Sequence, residues 1–229
     1  MDNDFQLTVR RKTTPDASNR PSERIGKGEE ITIREKSGII FTFKDQMKVS
    51  LFWKAAKSVE RTARDLDLCL FYRSTDGGLG GVFSEEYREF LDDLGSLDRF
   101  PYILHSGDRI LSTLTGEAVE EIRIERLDKI EIACICVVDY EAALNGLPVL
   151  FDDARAYVEF SACEEDGYHR CNLKSPDSGA VYWVASICKG ADGLQCLKRK
   201  RKVLSVAEAA EHIPGFKLIC KAPEKGNAE

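Results

Sequence analysis

The chain has 229 residues, 43% hydrophobic and 31% charged, with a formal net charge of −6, a make-up that suits an ordinary globular protein able to bury a full core. The negative balance argues against general affinity for nucleic acid, because phosphate binding needs a positive field, but it leaves room for one local basic face. No stretch approaches the ~20 consecutive apolar residues of a membrane-spanning helix, and Met1 to Arg20 is polar with no apolar signal core, so the expected location is the cytoplasm.

Residues 1–24 read as a mobile N-terminal arm: 10–24 are polar, basic and proline-bearing without an apolar period, and Phe5 to Val9 offers one short strand. From Ile25 the pattern changes. Ile31-Thr32-Ile33, Ile39 to Phe43, Met47 to Trp53 and Leu66 to Tyr72 alternate as β-strands do. Gly77-Gly78-Leu79-Gly80-Gly81 reads as a flexible loop, and the acidic stretch Ser84 to Leu97 as a place for a short helix. Further strands are expected over 101–104, 119–124, 154–160, 168–173 and 180–188. Ile130 to Val138 is a nearly continuous apolar run, which suits a strand buried on both faces. Tyr140 to Asn145 suggests a helical turn. Ser205 to His212 is the best helix, with Ser205 and Glu208 spaced as a capping box and Pro214-Gly215 as its stop. Phe216 to Cys220 reads as a last strand, and 221–229 as a disordered tail.

Many short strands with turn signals between them and few helices imply an all-β fold, a two-sheet antiparallel β-sandwich occupying residues 25–220 as one domain. No strand–helix alternation points to a parallel sheet.

Several segments, in one order, resemble the TerD/TerA family of bacterial tellurium-resistance and general stress proteins. They are Lys27-Gly28 before Ile31-Thr32-Ile33, Val49-Ser50-Leu51-Phe52-Trp53, Asp65-Leu66-Asp67-Leu68-Cys69, His105-Ser106-Gly107-Asp108, Glu120-Glu121-Ile122 with Leu127, and Ala156-Tyr157-Val158. The resemblance implies a β-sandwich with calcium-binding loops at one end and a role in cytosolic stress or tellurite tolerance. It implies calcium ligands at Asp65, Asp67, Asp108 and Glu120. The sequence departs from the family pattern at Arg109, where asparagine is usual, at Lys54, where aspartate is common, and over 110–119, where most acidic residues are missing. In these respects it is closer to the TerA-like branch.

Calcium takes six to eight oxygens, several of them carboxylate. On the residues alone, Asp65 and Asp67 read better as loop caps or as partners of Arg64 and Arg109 than as ligands. His105 reads as a buried, hydrogen-bonded structural histidine; an enzymatic polar site of His105, Asp108 and Glu120 is the least supported alternative, and no P-loop, HExxH or GxSxG accompanies it. None of the eight cysteines forms CxxC. Cys134 and Cys136 share a strand face, where thiols either meet soft metals or pack as small hydrophobes; packing is the expectation. Cys163 and Cys171 flank a turn at 164–167. Lys198-Arg199-Lys200-Arg201-Lys202 would divide between two strand faces and offers contact to nucleic acid, an anionic surface or an acidic protein partner. The sequence thus predicts a non-enzymatic binding module, calcium-bound or else a metal-free interaction scaffold in a stress-associated complex that uses the sandwich face or residues 198–202.

Overall fold

Period-two alternation in this chain becomes two antiparallel sheets packed face to face. The structure, a computed structural model, describes residues 6–8, 30–32, 39–43, 46–54, 64–84, 94–107, 110–111, 117–162, 168–190 and 193–220. One sheet holds β4 (Met47–Lys54), β7 (Gly95–Ser96), β8 (Ile103–His105), β9 (Ile110–Leu111), β10 (Glu117–Ile124), β12 (Tyr157–Ala162) and β13 (His169–Asn172). Their order is β13-β12-β4-β10-β8-β7, with β9 also on β10. The other holds β3 (Ile39–Phe43), β5 (Leu66–Ser74), β6 (Leu79–Val82), β11 (Ile130–Asp139), β14 (Val181–Lys189) and β15 (Gln195–Leu204), ordered β3-β15-β14-β11-β5-β6. A separate pair joins β1 (Gln6–Thr8) to β2 (Glu30–Thr32). The rest of 1–24, and the tail 221–229, lie outside the described residues.

Alternate residues of both sheets fill the space between them. Val49, Leu51 and Trp53 of β4, Leu66, Leu68 and Leu70 of β5, Ala118 and Ile122 of β10, and Val158 and Phe160 of β12 belong to one buried cluster. The unbroken apolar run of β11 has its predicted cause. Ile135 and Val137 face this inner core, while Cys134, Cys136 and Val138 face a second cluster on the outer side of the same sheet. That outer cluster is roofed by α2 (Val206–His212) and the turn after it, through Ala209, Ile213 and Phe216. Burying a side chain such as Phe216 contributes on the order of 2–3 kcal/mol.

The caps follow the sequence. Ser205 Oγ accepts from Glu208 N at 3.2 Å and Glu208 Oε2 accepts from Ser205 N at 2.8 Å, the reciprocal pair of a capping box. The helical turn at Tyr140 is α1 (Tyr140–Asn145), capped by Asp139 Oδ1, which accepts from Ala142 N at 3.0 Å. Two expectations are corrected. Phe216–Ile219 is a 3-10 helix, not a strand; its Phe216 ring lies 5.1 Å from that of Phe71, over the sheet face. A short apolar run does not reveal by its period which of the two it will be. The glycine-rich loop contains strand β6. A Cβ on Gly80 would fall 2.2 Å from the Tyr72 ring, so the glycines there admit an aromatic side chain against the strand backbone. Most of the expected helix over 84–97 lies outside the described residues, and its end, Gly95–Ser96, is β7.

Candidate functional site

His105, Glu120 and Leu68 form the polar centre between the sheets. The antiparallel ladder of β5 and β11 has Tyr140 N bonded to Asp65 O at 3.0 Å. Since hydrogen-bonded and non-bonded pairs alternate, Leu68, opposite Val137, turns its N–H and C=O to the other edge. On that edge β6 pairs only from Leu70 onward. Two side chains of the opposite sheet take the missing strand's place. Glu120 Oε2 accepts from Leu68 N at 2.7 Å, and His105 Nε2 meets Leu68 O at 2.9 Å. Gly107 N donates to His105 Nδ1 at 3.0 Å. That bond requires a lone pair on Nδ1, so Nε2 carries the hydrogen and donates to Leu68 O. His105 and Glu120 are adjacent because β8 lies on β10 with His105 opposite Ile122; His105 Nε2 and Glu120 Oε2 are 3.7 Å apart. With 2% and 1% of their surface exposed, they sit in the core. His105 is buried and hydrogen-bonded, as the sequence predicts.

The four residues implied as calcium ligands do not form one constellation among the described residues. Glu120 points between the sheets, on the face of Ala118 and Ile122. Asp67 alternates with Leu66 and Leu68 and so takes the opposite face of its sheet, that of Cys69 and Phe71. It is fully buried, with Ser84 Oγ 3.5 Å from its Oδ1. Asp65 lies just before β5 and is half-buried. Asp108 and Arg109 lie outside the described residues. Asp67 and Glu120 thus stand on opposite faces of β5, whereas the ligands of a calcium ion converge on one point at roughly 2.3–2.6 Å. Arg64 donates to Leu150 O at 2.7 Å and its Nε stands 3.7 Å from the buried Asp139 carboxylate.

The basic run builds a different surface. It lies within β15, and alternation exposes Lys198, Lys200 and Lys202 while half-burying Arg199 and Arg201. A register shift between Trp183 and Ala185, with Arg201 at φ 50°, marks a bulge that preserves this sidedness. Trp183 is opposite Lys202 and Ser186 opposite Lys198, so the three lysines share the outer face of the sheet with the tryptophan. Lys200 Nζ is 4.8 Å from the Trp183 ring centroid, a cation–π contact. Among the described residues β3 pairs with β15 only over Gln195 to Lys198, so β15 beyond Lys198 has a strand partner only on the β14 side. The period-two spacing of the lysines carried this face in the sequence; the tryptophan beneath it had no local signal.

The thiols of β11 are packing groups. Burial pushes Cys134 up to about 11, Cys171 up to about 12 and Cys136 well above the ordinary thiol range. Burial likewise raises Tyr72 and Tyr182. Each of these groups loses its proton at higher pH folded than unfolded, so the unfolded chain holds fewer protons above pH ~9. Stability is thus expected to be level just below that value and to fall as pH climbs toward about 12. Urea unfolding at pH 8 and pH 10.5 checks this, and an unchanged midpoint would contradict it.

No family model matches the sequence, and no curated protein matches it. Solved structures do. A homologue of the telluride resistance protein TerD from Streptomyces coelicolor A3(2) superposes with a TM-score of 0.53 at 16% identity, covering 71% of this chain and 91% of its own. The fold is TerD-like. A second structure, of a protein of unknown function, matches with a TM-score of 0.51 at 15% identity over 76% of this chain and 95% of its own. The two-sheet antiparallel sandwich expected from the sequence is thus the TerD-like sandwich. No helix among the described residues is long and apolar enough to cross a membrane.

Proposed function

We propose that this TerD-like chain is a non-enzymatic binding module of a stress or tellurium-resistance response, and that it engages an acidic protein partner through the lysine face of β15. The observation that carries this reading is the alignment of Lys198, Lys200 and Lys202 on one exposed face beside Trp183. A positive patch on a protein of net charge −6 is a local exception. It favours a partner recognised at short range over an extended polyanion, which the rest of the surface repels. The telluride-resistance name of the structural neighbour supports the physiological setting. The non-enzymatic reading is supported by His105 and Glu120 being engaged with Leu68 inside the core.

Fluorescence anisotropy with a labelled peptide of alternating Glu and Asp tests the proposal. Binding is expected at low ionic strength, weakening about tenfold or more by physiological salt, and lost in the triple variant K198E/K200E/K202E. Absence of binding, or equal binding by the variant, overturns it, as does tighter lysine-dependent binding of single-stranded DNA or of anionic vesicles. Calcium remains the ligand implied by the family resemblance. A rise in melting temperature with millimolar calcium that disappears in Asp67→Ala would replace the metal-free reading with a calcium-bound one.

A further inference from the structure

Cys188 and Cys196 face each other directly across β14 and β15. Both are reduced. Cys196 is buried, with 7% of its surface exposed, whereas Cys188 is half-buried and the more accessible of the two. Their pairing type follows from the ladder. Gly190 N donates to Leu194 O at 2.7 Å, and two steps along an antiparallel pair restores the same type, so Cys188 and Cys196 form a hydrogen-bonded pair with Cα atoms ~5.5 Å apart. That separation lies within the ~4.4–6.8 Å range of disulfides. The Cβ atoms, typically ~4.5–5.5 Å apart across strands, must close by roughly 0.7–1.7 Å to reach the ~3.8 Å mean of disulfides. A bond formed with such strain is readily reduced, the behaviour of labile rather than structural disulfides. Cys69 and Cys136 are also opposite one another, but both are fully buried, which denies them an oxidant.

We infer that Cys188 and Cys196 form a reversible oxidation site, closed to a cross-strand disulfide by hydrogen peroxide. The Cys188 thiolate attacks one peroxide oxygen, the O–O bond breaks, and hydroxide leaves a sulfenic acid on Cys188. The Cys196 sulfur then displaces that hydroxyl, which departs with the Cys196 proton as water. The two thiols are oxidised by two electrons and the peroxide is reduced. A dithiol such as dithiothreitol reverses the bond by exchange.

The experiment is peroxide treatment of the full chain, alkylation in denaturant and tryptic mapping. Trypsin cuts after Lys174, Lys189 and Lys198 and so separates the two cysteines into residues 175–189 and 190–198. The expected product is those two peptides joined, two hydrogens lighter than their sum and released by dithiothreitol. In Cys196→Ser, Cys188 is expected to accumulate as a dimedone-trapped sulfenic acid with no linked peptide. Recovery of both peptides fully alkylated after peroxide overturns the inference. So does conversion of Cys188 to sulfinic acid while Cys196 stays a thiol, or a link that maps to another pair.

Discussion

Glu120→Ala is expected to lower the unfolding free energy by about 3 kcal/mol, through a buried donor left without its acceptor plus a cavity in the core. The donor is Leu68 N, which the carboxylate meets at 2.7 Å. Because the β11 side of Leu68 is turned away, relaxation of the strand alone offers that N–H no substitute. Glu120→Gln keeps a carbonyl oxygen for the bond and is expected to cost markedly less than the alanine. Urea denaturation of both variants, analysed with a common slope, separates them. Equal and small losses would mean that the clasp contributes little. Equal and large losses would assign the effect to the carboxylate's charge rather than to its acceptor oxygen.

Gly95→Ala is expected to be comparably damaging, by about 3 kcal/mol or more, since backbone strain and a steric clash add at one position. Gly95 has φ +82°, and a Cβ there would fall 2.2 Å from the Ile103 carbonyl oxygen. That oxygen belongs to strand backbone, which a rotamer change does not move aside. The substitution pushes β7 away from β8, and β8 carries His105. A thermal scan checks it. A melting temperature within a degree of the unsubstituted protein would show that the strand pair opens at little cost.

The sandwich was legible because its core strands obey simple periods. Val49, Leu51 and Trp53 alternate toward the interior, and β11 is apolar throughout because it is covered on both sides. The Ser205–Glu208 box was legible because its two bonds are local. What escaped was set by tertiary contact. The strand at Leu79–Val82 hid behind two glycines that make room for aromatic rings, Gly80 for Tyr72 and Gly81 for Phe83 and Phe71. The turn of Phe216–Ile219 depends on Phe71, far away in sequence. The same holds for the candidate site. Residue spacing predicts one face for Asp65 and Asp67, but only the pairing of β8 with β10, and of β5 with β11, shows that Glu120 answers to Leu68 from the other side of the sheet.

The clasp on Leu68 also bears on how the two layers are held in place. Apolar packing is non-directional, so by itself it resists the separation of two flat layers better than it resists their sliding. Hydrogen bonds are directional and fall away steeply with misalignment. A carboxylate and an imidazole from one layer, gripping the N–H and C=O of a single residue in the other, tolerate a slip of only a fraction of an ångström. Glu120 and His105 therefore act as a dowel that fixes the lateral offset of the layers. Replacing both by apolar residues of similar volume would be expected to keep the sandwich closed while letting its halves drift.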